Sequence, residues 1–317
     1  MTTIITAGST NDLSFSAYLD DFDATFTASG RGAFSDGTQG DYAVSEAAIT
    51  DTADTEAQAF VLRDDIVYSM TTHQLSGSVS SVDLGYGVTG TASGGSTVLD
   101  LEEVDYSIRF KPQIDDADEV YDLIYDLLGY GDGGLTDGLR SLVAADDIRF
   151  IGSAAADVFA GFDNDDLLKG RSGADTLSGG KGADRLLGQK GADTLNGGNG
   201  ADELSGGSGR DLLKGGKHAD TLDGGTGNDK LVGGHGADVF VFSGGNFGRD
   251  VVRDFTPGLD VIDLSGATGE AESFDAFLAA STQSGSRVIY DLDGDGANVI
   301  VLKDITLDAL SADDFLF

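Results

Sequence analysis

The sequence predicts a chain of three parts. Residues 1–148 should form an α+β domain, an antiparallel sheet with helices on one face. Residues 149–242 should form a parallel β-roll, and residues 243–317 a mainly β cap. Three observations predict this. Gly152 to Val241 reads as ten back-to-back nonapeptides, each with aspartate at the sixth place and a large apolar residue at the eighth. Before the repeats, strand-like runs are followed by two clustered helical patterns, the order of an α+β domain. After them come short apolar runs around one helical pattern.

The nonapeptides begin at residues 152, 161, 170, 179, 188, 197, 206, 215, 224 and 233. Their aspartates are Asp157, Asp166, Asp175, Asp184, Asp193, Asp202, Asp211, Asp220, Asp229 and Asp238. Their apolar residues are Phe159, Leu168, Leu177, Leu186, Leu195, Leu204, Leu213, Leu222, Leu231 and Phe240. One copy is Gly197-Gly198-Asn199-Gly200-Ala201-Asp202-Glu203-Leu204-Ser205. These residues closely resemble the calcium-binding nonapeptide repeat of RTX proteins.

Each nonamer should split into six loop residues and a three-residue strand. Glycine supplies the positive φ that a tight loop needs, and the eighth residue points inward by the period of two. Two nonamers make one turn, so loops alternate between two edges. One column then holds Asp157, Asp175, Asp193, Asp211 and Asp229. The other holds Asp166, Asp184, Asp202, Asp220 and Asp238. Strands stacked about 4.8 Å apart bring the carboxylates into mutual repulsion, and a cation relieves it. Calcium takes six to eight oxygens, which paired aspartates and loop carbonyls can supply; four gaps per edge give about eight ions. Each inward leucine contributes roughly 1.5–3 kcal/mol, against an ordering cost of about 1–2 kcal/mol for every residue. Metal binding and folding should therefore be one event. The first copy lacks the inner glycines and reads as a cap. Asn164 and His218 replace the fourth-position glycine, so weaker calcium binding is expected in those loops. His218 and His235 read as solvated loop histidines.

The chain carries 55 acidic and 19 basic residues, a net charge of −36. Residues 1–150 hold 27 acids and 6 bases, residues 151–242 hold 14 and 9, and residues 243–317 hold 14 and 4. This balance argues against a nucleic-acid partner and fits solubility in a salty or calcium-rich exterior. Cysteine is absent, which excludes disulfides and thiol chemistry. Met1 to Gly8 has neither a basic n-region nor a long apolar run, so no ordinary secretory signal is expected there. No apolar run is long enough for a membrane helix. The RTX resemblance implies export by type I secretion machinery without an N-terminal signal peptide, and folding outside the cell. Extracellular calcium modules bind at about 10⁻⁴–10⁻³ M, so the ion can act as the trigger.

In residues 1–148, Phe15, Tyr18, Leu19, Phe22 and Phe26 recur at helical spacing within Ser14 to Ala28. Strand-like runs are Asp41 to Ser45, Ala57 to Arg63, Asp65 to Met70, Gln74 to Leu84 and Val104 to Phe110. Helical patterns cover Asp118 to Leu128 and Leu135 to Ala144. The stretches Ser14-x-x-x-Tyr18-Leu19-x-x-Phe22-x-x-Thr25-Phe26, Ala59-Phe60-Val61, Tyr68-Ser69, His73-x-Leu75-x-Gly77, Ile124-Tyr125-Asp126-Leu127-Leu128 and Gly134-Leu135-Thr136-Asp137-Gly138-Leu139 resemble the HasA-type haemophores. That resemblance implies haem capture, with Tyr68 as the iron ligand and His73 beside it, and an outer-membrane haem receptor as partner. Tyrosine ligates ferric haem as a phenolate, and a neighbouring histidine that accepts its proton makes the oxygen a better donor. The loop Ser29 to Gly40 departs from the family pattern: it has no histidine, and Arg31 cannot ligate iron.

After Phe242 the repeat stops. Apolar runs follow at Asp250 to Phe255, Leu259 to Leu264, Ser286 to Leu292 and Val299 to Leu302, with a helix expected from Glu270 to Ala280. An open solenoid end needs such a cap. The ending Asp313-Asp314-Phe315-Leu316-Phe317 resembles that of RTX exoproteins and, by that resemblance, carries the type I export signal. Asp291, Asp293 and Asp295 with Gly296 match the start of an EF-hand loop and are candidates for an extra calcium. The twelfth position is Leu302 where the motif has glutamate, and a turn between strands explains the run as well. No His-Glu-x-x-His or G-x-S-x-G motif occurs, so no enzyme is expected. Two functions stand open: an exported haem-capturing protein on a calcium-folded carrier, and a calcium-dependent adhesive or self-assembling surface-layer or matrix filament.

Overall fold

The computed structural model describes residues 2–7, 33–34, 39–45, 58–69, 74–77, 79–93, 96–114, 147–267 and 273–317. The chain divides into two compact units, Met1–Ile151 and Gly152–Phe317. Among the described residues, no helix is long and apolar enough to cross a membrane.

The described part of the first unit is a sheet. Its strands lie in the order Ala33–Phe34, Gln39–Ser45, Gln58–Ser69, Val79–Ser93, Ser96–Ile114, Thr2–Ala7 and Asp147–Ile151, with Gln74–Gly77 also paired to Gln58–Ser69. Neighbours are antiparallel except for Thr2–Ala7 against Asp147–Ile151, which run parallel.

The α+β assignment is corrected by this structure. The described residues make a mostly β protein dominated by a parallel solenoid, and their one α-helix, Phe274–Ala279, lies in the second unit. The segments read as helices, Ser14 to Ala28, Asp118 to Leu128 and Leu135 to Ala144, lie outside the described residues. The strands are also longer than their apolar runs suggest. Gly85, Gly87 and Gly90 give residues 85–93 the look of a loop. Yet Tyr86 faces Glu103, Val88 faces Leu101 and Thr91 faces Val98, so the hairpin continues to Ser93 and Ser96. β-branched residues on the partner, Thr97 and Val98, favour the pleated surface and offset the glycines.

The second unit is a solenoid of two sheets. One runs from Leu167–Ser172 through Arg185–Gly191, Glu203–Gly209, Thr221–Gly227 and Val239–Val241 to Val261–Asp263 and Phe315–Leu316. The other runs from Val158–Ala160 through Thr176–Lys181, Thr194–Asn199, Leu212–Lys217 and Lys230–His235 to Arg249–Val252 and Val299–Lys303. It finishes on the antiparallel strands Arg287–Asp291 and Ser281–Gln283. Within the repeats every pairing is parallel and residue i faces residue i+18, as Leu168 faces Leu186 and Leu177 faces Leu195.

The strands correct the expected division of the nonamer. Most are six or seven residues long, not three, and run from the seventh position of one repeat into the third or fourth of the next. Glycine there weakens β propensity, but the parallel neighbour's own amides and carbonyls hold it in the ladder. Alternation puts the sixth, eighth and first positions inside. The inner face of each strand thus reads aspartate, large apolar residue, glycine. The apolar residues Phe159 to Phe240 are at most 1% exposed.

The end of the second unit is closed by aromatic rings. The Phe277 ring lies 4.3 Å from Phe315 and 4.5 Å from Tyr290 between centroids, and Phe274 lies 5.5 Å from Phe315. Ser273 caps the helix through Ala276 N. Asp314 is fully buried and satisfied: Oδ1 accepts from Gly258 N at 2.6 Å, and Oδ2 from Ser311 N at 2.6 Å.

Candidate metal centre

Positive φ recurs at the second and fourth positions of the repeats. It is carried by glycine at most of them, by Arg171 and Gln189 at the second, and by His218 at the fourth. Where glycine holds the fourth position there is no room for a side chain either, since a Cβ on Gly182 would collide with the carbonyl of Asn164, 18 residues earlier. Glycine therefore serves both the turn and the close stacking of loops.

This stacking sets the aspartates in two columns. After the first in each column, the Oδ1 of each accepts from the main-chain amide of the aspartate 18 residues earlier. In one column Asp157 N donates to Asp175, Asp175 to Asp193, Asp193 to Asp211 and Asp211 to Asp229, each at 2.8 Å. In the other, Asp166 N donates to Asp184, Asp184 to Asp202, Asp202 to Asp220 and Asp220 to Asp238, at 2.9–3.0 Å. All ten aspartates are at most 3% exposed.

The second carboxylate oxygen behaves differently. Oδ2 of Asp175, Asp184, Asp193, Asp202, Asp211, Asp220 and Asp229 is buried and has no hydrogen-bond donor. It sits against the first glycine of its own repeat. A Cβ on Gly206 would meet Asp211 Oδ2 at 2.5 Å and the carbonyl oxygen of Gly224 at 2.7 Å. Acceptors alone converge here, and they need a proton or a cation. Burial pushes the carboxyls up, opposed by the amide hydrogen bonds and reinforced by nearby carboxylates, column neighbours for most and Asp223 for Asp229. Asp175 and Asp229 rise to about 6, and Asp184, Asp211 and Asp220 to about 7. An all-oxygen, anionic, buried donor set fits a hard divalent cation such as calcium.

The columns do not stop where the repeats stop. Asp229 N donates to Asp250 Oδ1 at 2.8 Å, and Asp238 N donates to Asp260 Oδ1 at 3.0 Å. Both acceptors were missed by the sequence reading, because their offsets are 21 and 22 residues where the repeats have 18. The signal was present in the triplets Asp250-Val251-Val252 and Asp260-Val261-Ile262, which copy the sixth to eighth positions. Burial raises Asp250 to about 8.

The other candidate residues lie elsewhere. Asp291, Asp293 and Asp295 occupy the turn between Arg287–Asp291 and Val299–Lys303. There Asp291 Oδ1 accepts from Gly294 N at 3.0 Å, Asp293 Oδ2 from Asn298 Nδ2 at 2.7 Å, and Asp295 Oδ1 from Ala297 N at 2.8 Å. Among the described residues no group of three or more acidic or histidine side chains converges, and the columns bring single carboxylate oxygens against glycine carbonyls instead. Tyr68 lies in Gln58–Ser69 opposite Leu75. His73 lies outside the described residues. His218 and His235 are exposed; Asp202 and Asp238 are raised by burial, an effect that the nearby imidazoles oppose.

The family model of the RTX calcium-binding nonapeptide repeat matches residues 149–177, 178–213 and 214–246. Residues 149–246 are an RTX repeat array. Comparison with curated proteins gave no match. Among solved structures, the chain is similar to the extracellular lipase LipA from Serratia marcescens, at 20% identity and a TM-score of 0.30, over 54% of this chain and 40% of the lipase. It is also similar to the apo hemophore HasA from Yersinia pestis, at 20% identity and 0.35, over 45% of this chain and 86% of that one. A third is the AlgE6R3 subunit of the Azotobacter vinelandii mannuronan C5-epimerase, at 27% identity and 0.28, over 53% and 81%. The RTX array thus carries calcium as its cofactor class, in line with the oxygen-only columns.

Proposed function

We propose that this protein is a non-catalytic exoprotein that leaves the cell unfolded through type I secretion machinery and folds outside when calcium fills the gaps between its stacked loops. The ions are held by the column aspartates, above all Asp175, Asp184, Asp193, Asp202, Asp211, Asp220 and Asp229, together with loop carbonyls. The observation that carries this reading is the set of seven buried Oδ2 atoms that lack a donor. A buried carboxylate so placed costs several kcal/mol unless paired. Calcium supplies the missing partner and links the loops in one step. Far-UV circular dichroism tests it. The strand signal of the array should grow on calcium titration at neutral pH and vanish with chelator. A full strand signal in chelator sinks the reading.

For the first unit we infer haem capture through Tyr68, with His73 as its hydrogen-bond partner and an outer-membrane receptor as the acceptor of the haem. What supports this is placement: Tyr68 is the last residue but one of its strand, and residues 70–73, ending in His73, connect that strand to Gln74–Gly77. Haemin added to the calcium-loaded protein should give a tyrosinate-type visible spectrum that Tyr68→Phe abolishes. An unchanged haemin spectrum with the wild type ends this reading. Calcium-dependent growth in light scattering would then support the adhesive or filament-forming alternative.

A further inference from the structure

We propose that residues 245–253 are a hidden eleventh repeat and that Asp229 and Asp250 hold one further calcium, while the opposite column ends without one. The proposal rests on calcium binding by the array and adds a site formed from residues outside the regular period. Gly245-Asn246-Phe247-Gly248-Arg249-Asp250-Val251-Val252-Arg253 has glycine at the first and fourth places, aspartate at the sixth and an apolar residue at the eighth.

Its backbone makes the bonds of a regular loop. Gly227 N donates to Phe247 O at 3.1 Å, as Gly173 N donates to Lys190 O at 3.0 Å. Val251 N donates to Asp229 O at 2.9 Å, as Lys230 N donates to Asp211 O at 2.9 Å. Gly248 has φ +87 and lies so close to the Gly227 carbonyl that a Cβ could not enter, as at the other fourth positions. Arg249 N is held by Asn228 Oδ1 at 2.9 Å. Asp250 is 1% exposed and its Oδ1 accepts from Asp229 N at 2.8 Å. The independent observation is Asp229 itself: it is 1% exposed, and its Oδ2 lacks a donor at this last gap as in the gaps before it.

The other column shows what an end without metal looks like. The residue there that corresponds to Asp229 is Asp238, which is not among the carboxylates whose Oδ2 is buried without a donor. Beyond it Asp260 Oδ1 accepts from Asp238 N, and Asp260 Oδ2 accepts from Thr256 N at 2.7 Å, so both oxygens of Asp260 are taken by main-chain amides. Asp254 closes the neighbouring loop by accepting from Gly233 N at 3.0 Å and Gly234 N at 2.9 Å. The protein supplies there what an ion supplies elsewhere.

Native mass spectrometry in calcium, on the full chain, tests the asymmetry. Asp250→Asn should bind one calcium fewer than the wild type, and Asp260→Asn should bind the same number. Equal counts for Asp250→Asn and wild type overturn the proposal, as does loss of an ion from Asp260→Asn alone. A wild type that binds no calcium instead overturns the reading of the whole array. Should Asp250→Asn fail to fold, anomalous diffraction from wild-type crystals grown in calcium decides. A peak between Asp229 and Asp250 is expected, and peaks confined to the earlier gaps refute it.

Discussion

The interior of the RTX array and its ends carry the same aspartate in two different states. In the interior, the second residue of each loop has positive φ, and the aspartate four residues on keeps an oxygen without a donor, as with Gln189 and Asp193. At the ends the second residue is Ser153, Phe162 or Thr256, none of them with positive φ. There its amide turns onto the carboxylate: Ser153 N to Asp157 Oδ2 at 2.7 Å, Phe162 N to Asp166 Oδ2 at 3.2 Å, Thr256 N to Asp260 Oδ2 at 2.7 Å. In these three loops the carboxylate oxygen that the interior leaves without a donor is satisfied by protein.

The largest effect should come from breaking a column in its middle. Asp193→Lys places a cation between Asp175 and Asp211 and should prevent calcium-induced folding at any calcium concentration, as read by circular dichroism and protease resistance. Asp157→Lys, at the capped end, should still fold and move the calcium midpoint by less than about tenfold, or roughly 1.4 kcal/mol. Equal damage at the two positions would remove the distinction between interior and end. Next, Leu204→Ala empties a site that is 1% exposed and should cost about 2–5 kcal/mol in calcium-loaded stability, measured by denaturant melts.

pH sharpens the comparison in chelator. The interior carboxyls start from 3.8 when unfolded and are raised when folded, chiefly through burial, Asp175 to about 6 and Asp184, Asp211 and Asp220 to about 7. The folded state therefore holds more protons between those values. Stability is fully present below the unfolded value and falls as pH rises through the folded one. Calcium-free protein should show more strand at pH ~4.5 than at pH ~8, with calcium removing the difference. An unchanged spectrum across that range would mean the columns do not oppose apo folding. The smallest effect is at Gln189, held at φ 77. Left-handed backbone costs a non-glycine residue about 1–2 kcal/mol, and glycine returns about 0.5–1 kcal/mol of that as entropy. Gln189→Gly should raise thermal stability by under about 1 kcal/mol.

The two columns and the buried row Phe159 to Phe240 were legible because nine-residue spacing is strict from 152 to 241. What hid Asp250 was the insertion Phe242-Ser243-Gly244, which shifts the period while leaving the loop chemistry intact. Strand length was hidden for another reason. Glycines in the first three positions look like loop, and only the parallel neighbour reveals that their amides and carbonyls belong to the ladder. The same error shortened the hairpin at Gly85 to Gly90. The α+β reading of residues 1–148 rested on helical periodicity in segments that lie outside the described residues, whereas long cross-strand pairing governs those that are described.

Hydrogen exchange on the column amides tests most directly whether metal and fold are one event. The amides of Asp175, Asp184, Asp193, Asp202 and Asp211 each donate to a carboxylate 18 residues on. In calcium at neutral pH they should be protected together, and in chelator they should all exchange at the rate of an unfolded chain. Protection that survives in chelator at neutral pH would contradict the account.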